Sequence, residues 1–188
     1  MNREWKLIPA DRKDYSKIRK LYLSAFPSEE RAPFFLIKRR IRQGKAEMLV
    51  AKQGSEFGGF TYVVTYKKLV YIFFLAVVPE RRGEGVGSAI LTLLKEKYAG
   101  YNLLLAREQI EEDAENYVER VKRREFYMKN GFTDLPARIK EAGVIYDAMS
   151  TGGKVSVRDY NVLIGRWSGP LLQRLLDLRM IEGRNDSE

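Results

Sequence analysis

The chain contains no cysteine and no histidine. The first absence excludes a disulfide framework and a thiolate nucleophile. The second excludes a Ser-His-Asp triad, a Cys-His pair and any histidine-ligated metal. Proton transfer must therefore fall to a carboxylate, a tyrosine, a lysine or water. Long apolar runs are missing too. The longest, Leu69 to Val78, has ten residues, about half of the roughly 20 that a membrane-spanning helix needs. The opening Met1-Asn2-Arg3-Glu4-Trp5-Lys6 lacks the apolar core of a signal peptide. These absences lead us to expect a soluble cytoplasmic protein without a metal.

Acidic residues are also in deficit, with 25 Asp and Glu against 34 Lys and Arg, a net charge of +9. Such a balance suits a polyanion, either a nucleic acid or a phosphorylated cofactor, or serves only solubility. The basic residues are spread along the chain and match no nucleic-acid motif, so the expectation is that the charge serves a cofactor and solubility. A length of 188 residues with 45% hydrophobic content allows one domain, with or without a small appendage.

Trp5 to Ile8 reads as a short strand closed by Pro9. Apolar residues from Tyr15 to Phe26 recur at helical spacing, with Asp11 or Asp14 available as cap. The segment Pro27 to Pro33 breaks that helix, and Phe34, Ile37 and Ile41 mark another that stops at Gly44. Strands follow at Glu47 to Lys52, Gly58 to Tyr66 and Leu69 to Val78, the last non-alternating as in a strand covered on both faces. Lys67-Lys68 reads as a hairpin turn. Past a glycine-rich turn, Val86, Ala89, Ile90, Leu93, Leu94 and Tyr98 give a helix an apolar stripe. Asn102 to Ala106 is the next strand. Strand, crossover helix and strand imply a parallel pair. Asp113 is expected to cap a long helix that stops at Gly131, and Gly143 to Ser150 alternates as a strand. Ser156 to Asp159 looks like a helix start, although Val155, Val157 and Leu163 would suit a strand. Ser168-Gly169-Pro170 opens a leucine-rich helix to about Ile181. Only the tail Gly183 to Glu188 reads as disordered.

The most informative stretch is Arg81-Arg82-Gly83-Glu84-Gly85-Val86-Gly87-Ser88. Glycines let the backbone turn tightly and approach a ligand. The first N–H groups of the following helix lack internal partners and carry partial positive charge. Together they suit a pyrophosphate, with Arg81 and Arg82 adding charge. The plain alternative is a turn that uses glycine for conformation only. A Walker A loop would need Lys before Ser88, and the third glycine of a dinucleotide fingerprint is here Ser88. In addition, Pro79-Glu80-Arg81-Arg82 separates the turn from its strand.

The segment Leu75-Ala76-Val77-Val78-Pro79-Glu80-Arg81-Arg82-Gly83-Glu84-Gly85-Val86-Gly87 closely resembles the acetyl-CoA motif of the GNAT (GCN5-related N-acetyltransferase) family. That pattern, Arg/Gln-x-x-Gly-x-Gly/Ala, is met by Arg82, Gly85 and Gly87. A second family element, aromatic-Tyr-x-x-x-Gly-Phe, is met by Phe126-Tyr127-Met128-Lys129-Asn130-Gly131-Phe132. The resemblance covers about Trp5 to Ser150. It implies an α/β fold: a central mixed, mostly antiparallel sheet with one splayed parallel pair, flanked by helices. To this the chain adds C-terminal helices. The expected division is 1–152 for the acetyltransferase-like domain and 153–188 for a helical extension packed on it. Two positions depart from the family. The asparagine that many relatives carry about seven residues before the tyrosine is here Arg120. The first glutamate of a subgroup's strand end is here Ala106, leaving Glu108.

The resemblance implies acetyl transfer from acetyl-CoA to a primary amine by direct attack. Leu75, Ala76 and Val77 would pair with the pantetheine and acetyl carbonyl, and Val77 N–H would support the oxyanion. Arg82, Gly83, Glu84, Gly85, Val86, Gly87 and Ser88 would hold the pyrophosphate. Glu108 is the candidate base and Tyr127 the candidate acid, with the plain alternatives of an exposed strand-end charge and a core aromatic. The loop residues Glu29, Glu30 and Arg31 lie where the family recognises its acceptor, a small-molecule or protein amine. No metal, membrane or nucleic acid is expected, and a homodimer is compatible with the sequence. The rival readings are a non-catalytic acyl-CoA-binding protein of the same fold and a basic nucleic-acid-binding module.

Overall fold

In the computed structural model, residues 4–182 are described; the tail Gly183 to Glu188 expected to be disordered lies outside them. Contacts group the chain into two units, Met1–Val64 with Ile72–Ala99, and Thr65–Tyr71 with Gly100–Glu188. The fold is mixed α/β, antiparallel except for one parallel strand pair. This grouping runs through the strands rather than at residue 152.

The first unit holds β1 (Lys6–Pro9), α1 (Asp14–Ala25), α2 (Phe34–Arg42), β2 (Glu47–Gln53), β3 (Glu56–Tyr66), the larger part of β4 (Leu69–Val77) and α3 (Val86–Lys97). Its strands run in the order β1-β2-β3-β4. Pro9 is part of β1 rather than its terminator, which an edge strand tolerates. The N-cap position of α1 is Lys13, and Asp11 holds the turn before it: its Oδ1 accepts the N–H groups of Lys13 at 2.7 Å and Asp14 at 3.2 Å. The core is aromatic. Tyr22 of α1 meets Phe74 of β4 at 4.9 Å between ring centres, and Phe26 meets the same ring at 5.0 Å. From α3, Val86, Ile90, Leu91 and Leu94 are fully buried, each stabilising by about 1.5–3 kcal/mol.

The second unit begins with Leu69–Tyr71 of β4 and adds β5 (Asn102–Glu108), α4 (Tyr117–Lys129), β6 (Thr133–Glu141), β7 (Val144–Ser150), α5 (Val157–Ser168), α6 (Pro170–Leu175) and β8 (Arg179–Ile181). The strand order is β4-β5-β7-β6-β8. The Asn102 N–H bonds the Lys68 carbonyl at 2.8 Å, where the parallel pair β4 and β5 begins.

Three expectations change here. Helix α4 starts at Tyr117 with Asn116 at its N-cap, three residues later than Asp113 would have placed it. It buries no residue, and Val118 and Met128 are exposed. Tyr117, Val118, Val121 and Met128 of this helix therefore form no buried stripe. Strand β6 was not foreseen, because Pro136 and its charges mask the pattern; the proline sits in an irregularity between Asp134 and Arg138, where a strand tolerates it. The leucine-rich helix ends at Leu175 rather than Ile181, and β8 pairs with β6. The extension is thus partly strand. Ser156 does cap α5, its Oγ accepting the Asp159 N–H at 3.3 Å. Tyr160 of α5 and Tyr71 of β4 both donate to Glu141 Oε1, at 3.0 and 2.8 Å.

Candidate functional site

In the first unit, β4 ends at Val77 and one turn of 3-10 helix, Pro79–Arg81, leads into the glycine turn. Gly83 and Gly85 have φ of 84° and 79°, a region that favours glycine, and a Cβ at either would meet nothing within 4 Å. The conformation, not crowding, requires glycine at both positions. Gly85 is the N-cap of α3, and its carbonyl accepts the first helical bond from Ala89 N–H at 2.9 Å. The N–H groups of Val86, Gly87 and Ser88 form the first turn, where no intrahelical acceptor exists. Arg82 is exposed beside them.

Arg81 does not add charge as expected. Its guanidinium binds Glu84 at 2.9 Å and also Glu56, so Glu84 is balanced within the turn and Arg82 is the cation left over. The fit for a pyrophosphate rests on backbone donors, a helix N-terminus and one arginine.

Sequence reasoning missed Gly58 and Gly59. Gly58 is unpaired where the β2–β3 register shifts, and a Cβ there would collide with the Trp5 ring and stand 3.0 Å from Val86 Cγ1. Gly59 lies so close to β4 that a Cβ would strike the Ala76 carbonyl oxygen and stand 3.1 Å from Val77 Cα. A glycine pair inside a strand is the signal that could have found them. Leu75 and Val77 are half-exposed and Ala76 is buried. The loop residues are also in this unit. Ser28–Glu30 is a single 3-10 turn. Arg31 Nη1 donates to the Leu23 carbonyl at 3.4 Å, and Tyr22 Oη donates to the Ala32 carbonyl at 3.0 Å. These bonds fasten the loop to the end of α1.

The second unit holds Glu108 and Tyr127. Glu108 is the last residue of β5, a strand two residues longer than expected. Its Oε1 accepts from Asn116 Nδ2 at 3.1 Å and lies 3.6 Å from Arg120 Nε, while its Oε2 accepts from Arg123 Nη1. Tyr127 stands in the last turn of α4. The spacing around it has a local cause. Phe132 N–H bonds the Tyr127 carbonyl at 3.1 Å, Gly131 N–H bonds Met128 at 3.0 Å, and Gly131 has φ of 81°. This is a Schellman stop. Its hydrophobic contact is Tyr127 on Phe132, with ring centres 5.9 Å apart. The ring is half-buried, and among the described residues nothing hydrogen-bonds its hydroxyl. Burial pushes the phenol above its ordinary value of 10.0, and the Arg123 charge pulls the other way.

Helix α4 is fastened by charge. Besides the Glu108 contacts, Arg124 Nη2 pairs with Asp134 at 2.6 Å. Asp134 also binds buried Arg107 at 3.0 Å, and Arg107 reaches Asp147 at 3.1 Å. Arg120, at the family's asparagine position, donates to the Asn116 side chain and the Gln109 carbonyl, each at 2.7 Å. No group of acidic residues suited to a metal occurs among the described residues.

Residues 44–134 match the model of the acetyltransferase (GNAT) domain. No curated protein matches the sequence. Among solved structures, a chain described as a GNAT-family acetyltransferase from Bacteroides thetaiotaomicron aligns with TM-score 0.69 at 19% identity, over 89% of this chain and 98% of that one. An aminoglycoside 6'-N-acetyltransferase complexed with coenzyme A aligns with TM-score 0.60 at 15% identity, over 77% and 95%. A chimera of Vibrio cholerae spermidine N-acetyltransferase SpeG and hSSAT aligns with TM-score 0.59 at 16% identity, over 78% and 94%.

Proposed function

Starting from a chain that carries a GNAT acetyltransferase domain over residues 44–134, we propose that it moves an acetyl group from acetyl-CoA to a primary amine. The observation that carries this reading is the glycine turn, with its positive-φ glycines leading into the α3 N-terminus. Arg82 and the N–H groups from Gly83 to Ser88 hold the pyrophosphate. Main-chain groups of Leu75, Ala76 and Val77 bind the pantetheine and acetyl carbonyl, and the Val77 N–H supports the oxyanion.

The neutral amine attacks the acetyl carbon, a C–N bond forms and the C–S bond breaks. Tyr127 gives its phenolic proton to the departing thiolate and is reprotonated by water. A phenol held above its ordinary pKa and without a protein partner supports that part. Glu108 takes a different part from the base its position suggested. Both of its oxygens already accept hydrogen bonds, so the amine's proton goes to water and Glu108 holds α4. The 28–31 loop, fastened by Arg31 and Tyr22, borders the acceptor. Spermidine and an aminoglycoside, taken from the names of two similar structures, head the panel of amines to try.

Calorimetry with CoA on the wild type and on Gly85→Glu tests the reading. The wild type should bind, and the folded variant should lose binding through steric and like-charge exclusion. Unchanged affinity in a variant with a native circular dichroism spectrum would move the site elsewhere. An acetyl-CoA consumption assay over the panel then separates a transferase from a protein that only binds acyl-CoA.

A further inference from the structure

Between Asp11 and Lys45 the chain has eleven Lys and Arg against four Asp and Glu. This short stretch carries most of the net charge. Elsewhere the structure neutralises many cations: Lys52, Lys67, Arg81, Lys97, Arg107 and Arg124 all have acidic partners. The exposed residues Arg12 and Lys13 just before α1, and Lys17, Arg19 and Lys20 on it, have none among the described residues, and neither do exposed Arg39 and Arg42 on α2. Net charge that looked evenly spread is concentrated in the segment from Asp11 to Lys45.

The two helices present one surface. Lys38 Nζ of α2 lies 5.3 Å from the centre of the Tyr15 ring of α1, and Tyr15 packs edge-on against Phe34 at 6.5 Å. Arg42 is close enough to Tyr15 for its charge to act on the phenol. Arg19, four residues beyond Tyr15, shares that face of α1, whereas Lys13, Lys17 and Lys20 lie farther round it. Phe35 is 72% exposed, and Arg39 and Arg42 stand one and two turns beyond it on the same side of α2.

We propose that this α1–α2 surface binds a polynucleotide through its phosphodiester backbone, with Phe35 as a stacking platform for an unpaired base. The inference does not depend on acetyl transfer. A row of cations at helical spacing suits a chain of phosphates, and a ring flanked by arginines suits a base that has left the duplex. A lipid surface fits less well. Insertion needs a continuous apolar stripe, and the exposed apolar residues of these helices, Leu23 and Phe35, stand among cations. An acidic peptide would use the cations but leave Phe35 without a role.

The test is fluorescence anisotropy with a labelled oligo(U) RNA and a duplex of equal length, at several salt concentrations. Polyglutamate and vesicles containing phosphatidylserine serve as competing probes. Wild-type affinity for oligo(U) should fall steeply with salt. Arg19→Glu/Arg39→Glu/Arg42→Glu should weaken it by about tenfold or more at low salt. Reversing three exposed cations of the second unit, Lys68→Glu/Lys122→Glu/Lys154→Glu, changes net charge equally and should have little effect. Phe35→Ala should weaken oligo(U) on the order of tenfold and the duplex little. No oligo(U) binding, equal loss in the two triple variants, tighter binding of polyglutamate or vesicles, or an unaffected Phe35→Ala would each overturn the proposal. Melting curves establish that every variant is folded.

Discussion

Tyr127→Phe keeps the ring on Phe132 and removes only the hydroxyl. If the hydroxyl protonates the thiolate, kcat should fall on the order of 10²-fold or more with CoA affinity nearly intact. A near-normal kcat, in a variant whose chemical step limits the rate, would confine Tyr127 to the helix stop. Because the phenol sits above its ordinary value of 10.0, its ionisation should cost no activity below about pH 10. Glu108→Gln separates two roles at one residue. A proton acceptor predicts a rate loss greatest at low pH. A tether predicts a lower melting temperature and an unchanged shape of the pH–rate profile, and the contacts to Asn116 and Arg123 make the second the expected result. Gly59→Ala should displace β4 at Ala76 and Val77 and weaken CoA binding by calorimetry more than it lowers the melting temperature.

At the scale of the element, α3 and α4 are held by different forces. Helix α3 buries four apolar side chains and α4 buries none. What fastens α4 is the pair of ionic clusters around Glu108 and Asp134. Apolar burial is insensitive to moderate salt, whereas exposed ion pairs are screened by it. Hydrogen exchange should therefore show α4 opening faster as salt rises, with α3 unaffected. The pH response has a definite sign. Burial alone would raise Asp134, but the Arg124 and Arg107 hydrogen bonds and charges outweigh it and hold the carboxyl below its ordinary 3.8. Its stabilisation is complete above that value and is lost as pH falls through the lowered one. Asp134→Asn should remove this acid-limb contribution and accelerate α4 exchange at neutral pH; unchanged exchange would show that α4 is fastened otherwise.

For the whole molecule, the C-terminal segment is built into the second unit. Tyr160, Leu163, Ile164 and Trp167 of α5 are buried, Tyr160 shares Glu141 with Tyr71, and β8 extends the strand order beyond β6. Removing 153–188 strips these contacts and leaves β6 an open edge. The truncated chain should be insoluble or should lose its cooperative melting transition. A soluble truncation with native circular dichroism would make the segment a dispensable appendage.

The sequence by itself determined the elements whose code is local. The glycine turn, the α3 stripe, the Ser156 cap and the stop at Gly131 each depend on residues within a few positions of one another, so spacing alone reveals them. It also determined what chemistry is closed to the chain, since no arrangement can supply an absent histidine or cysteine. Contacts between distant segments were decided by the tertiary structure. Whether Arg81 serves a ligand depends on Glu56, 25 residues away, and whether Glu108 is available depends on Arg123, 15 residues on. The excess of Lys and Arg between Asp11 and Lys45 is plain in the sequence, but not which of those cations stay unpaired. A count of charges is local, but their neutralisation depends on which acids the fold places beside them.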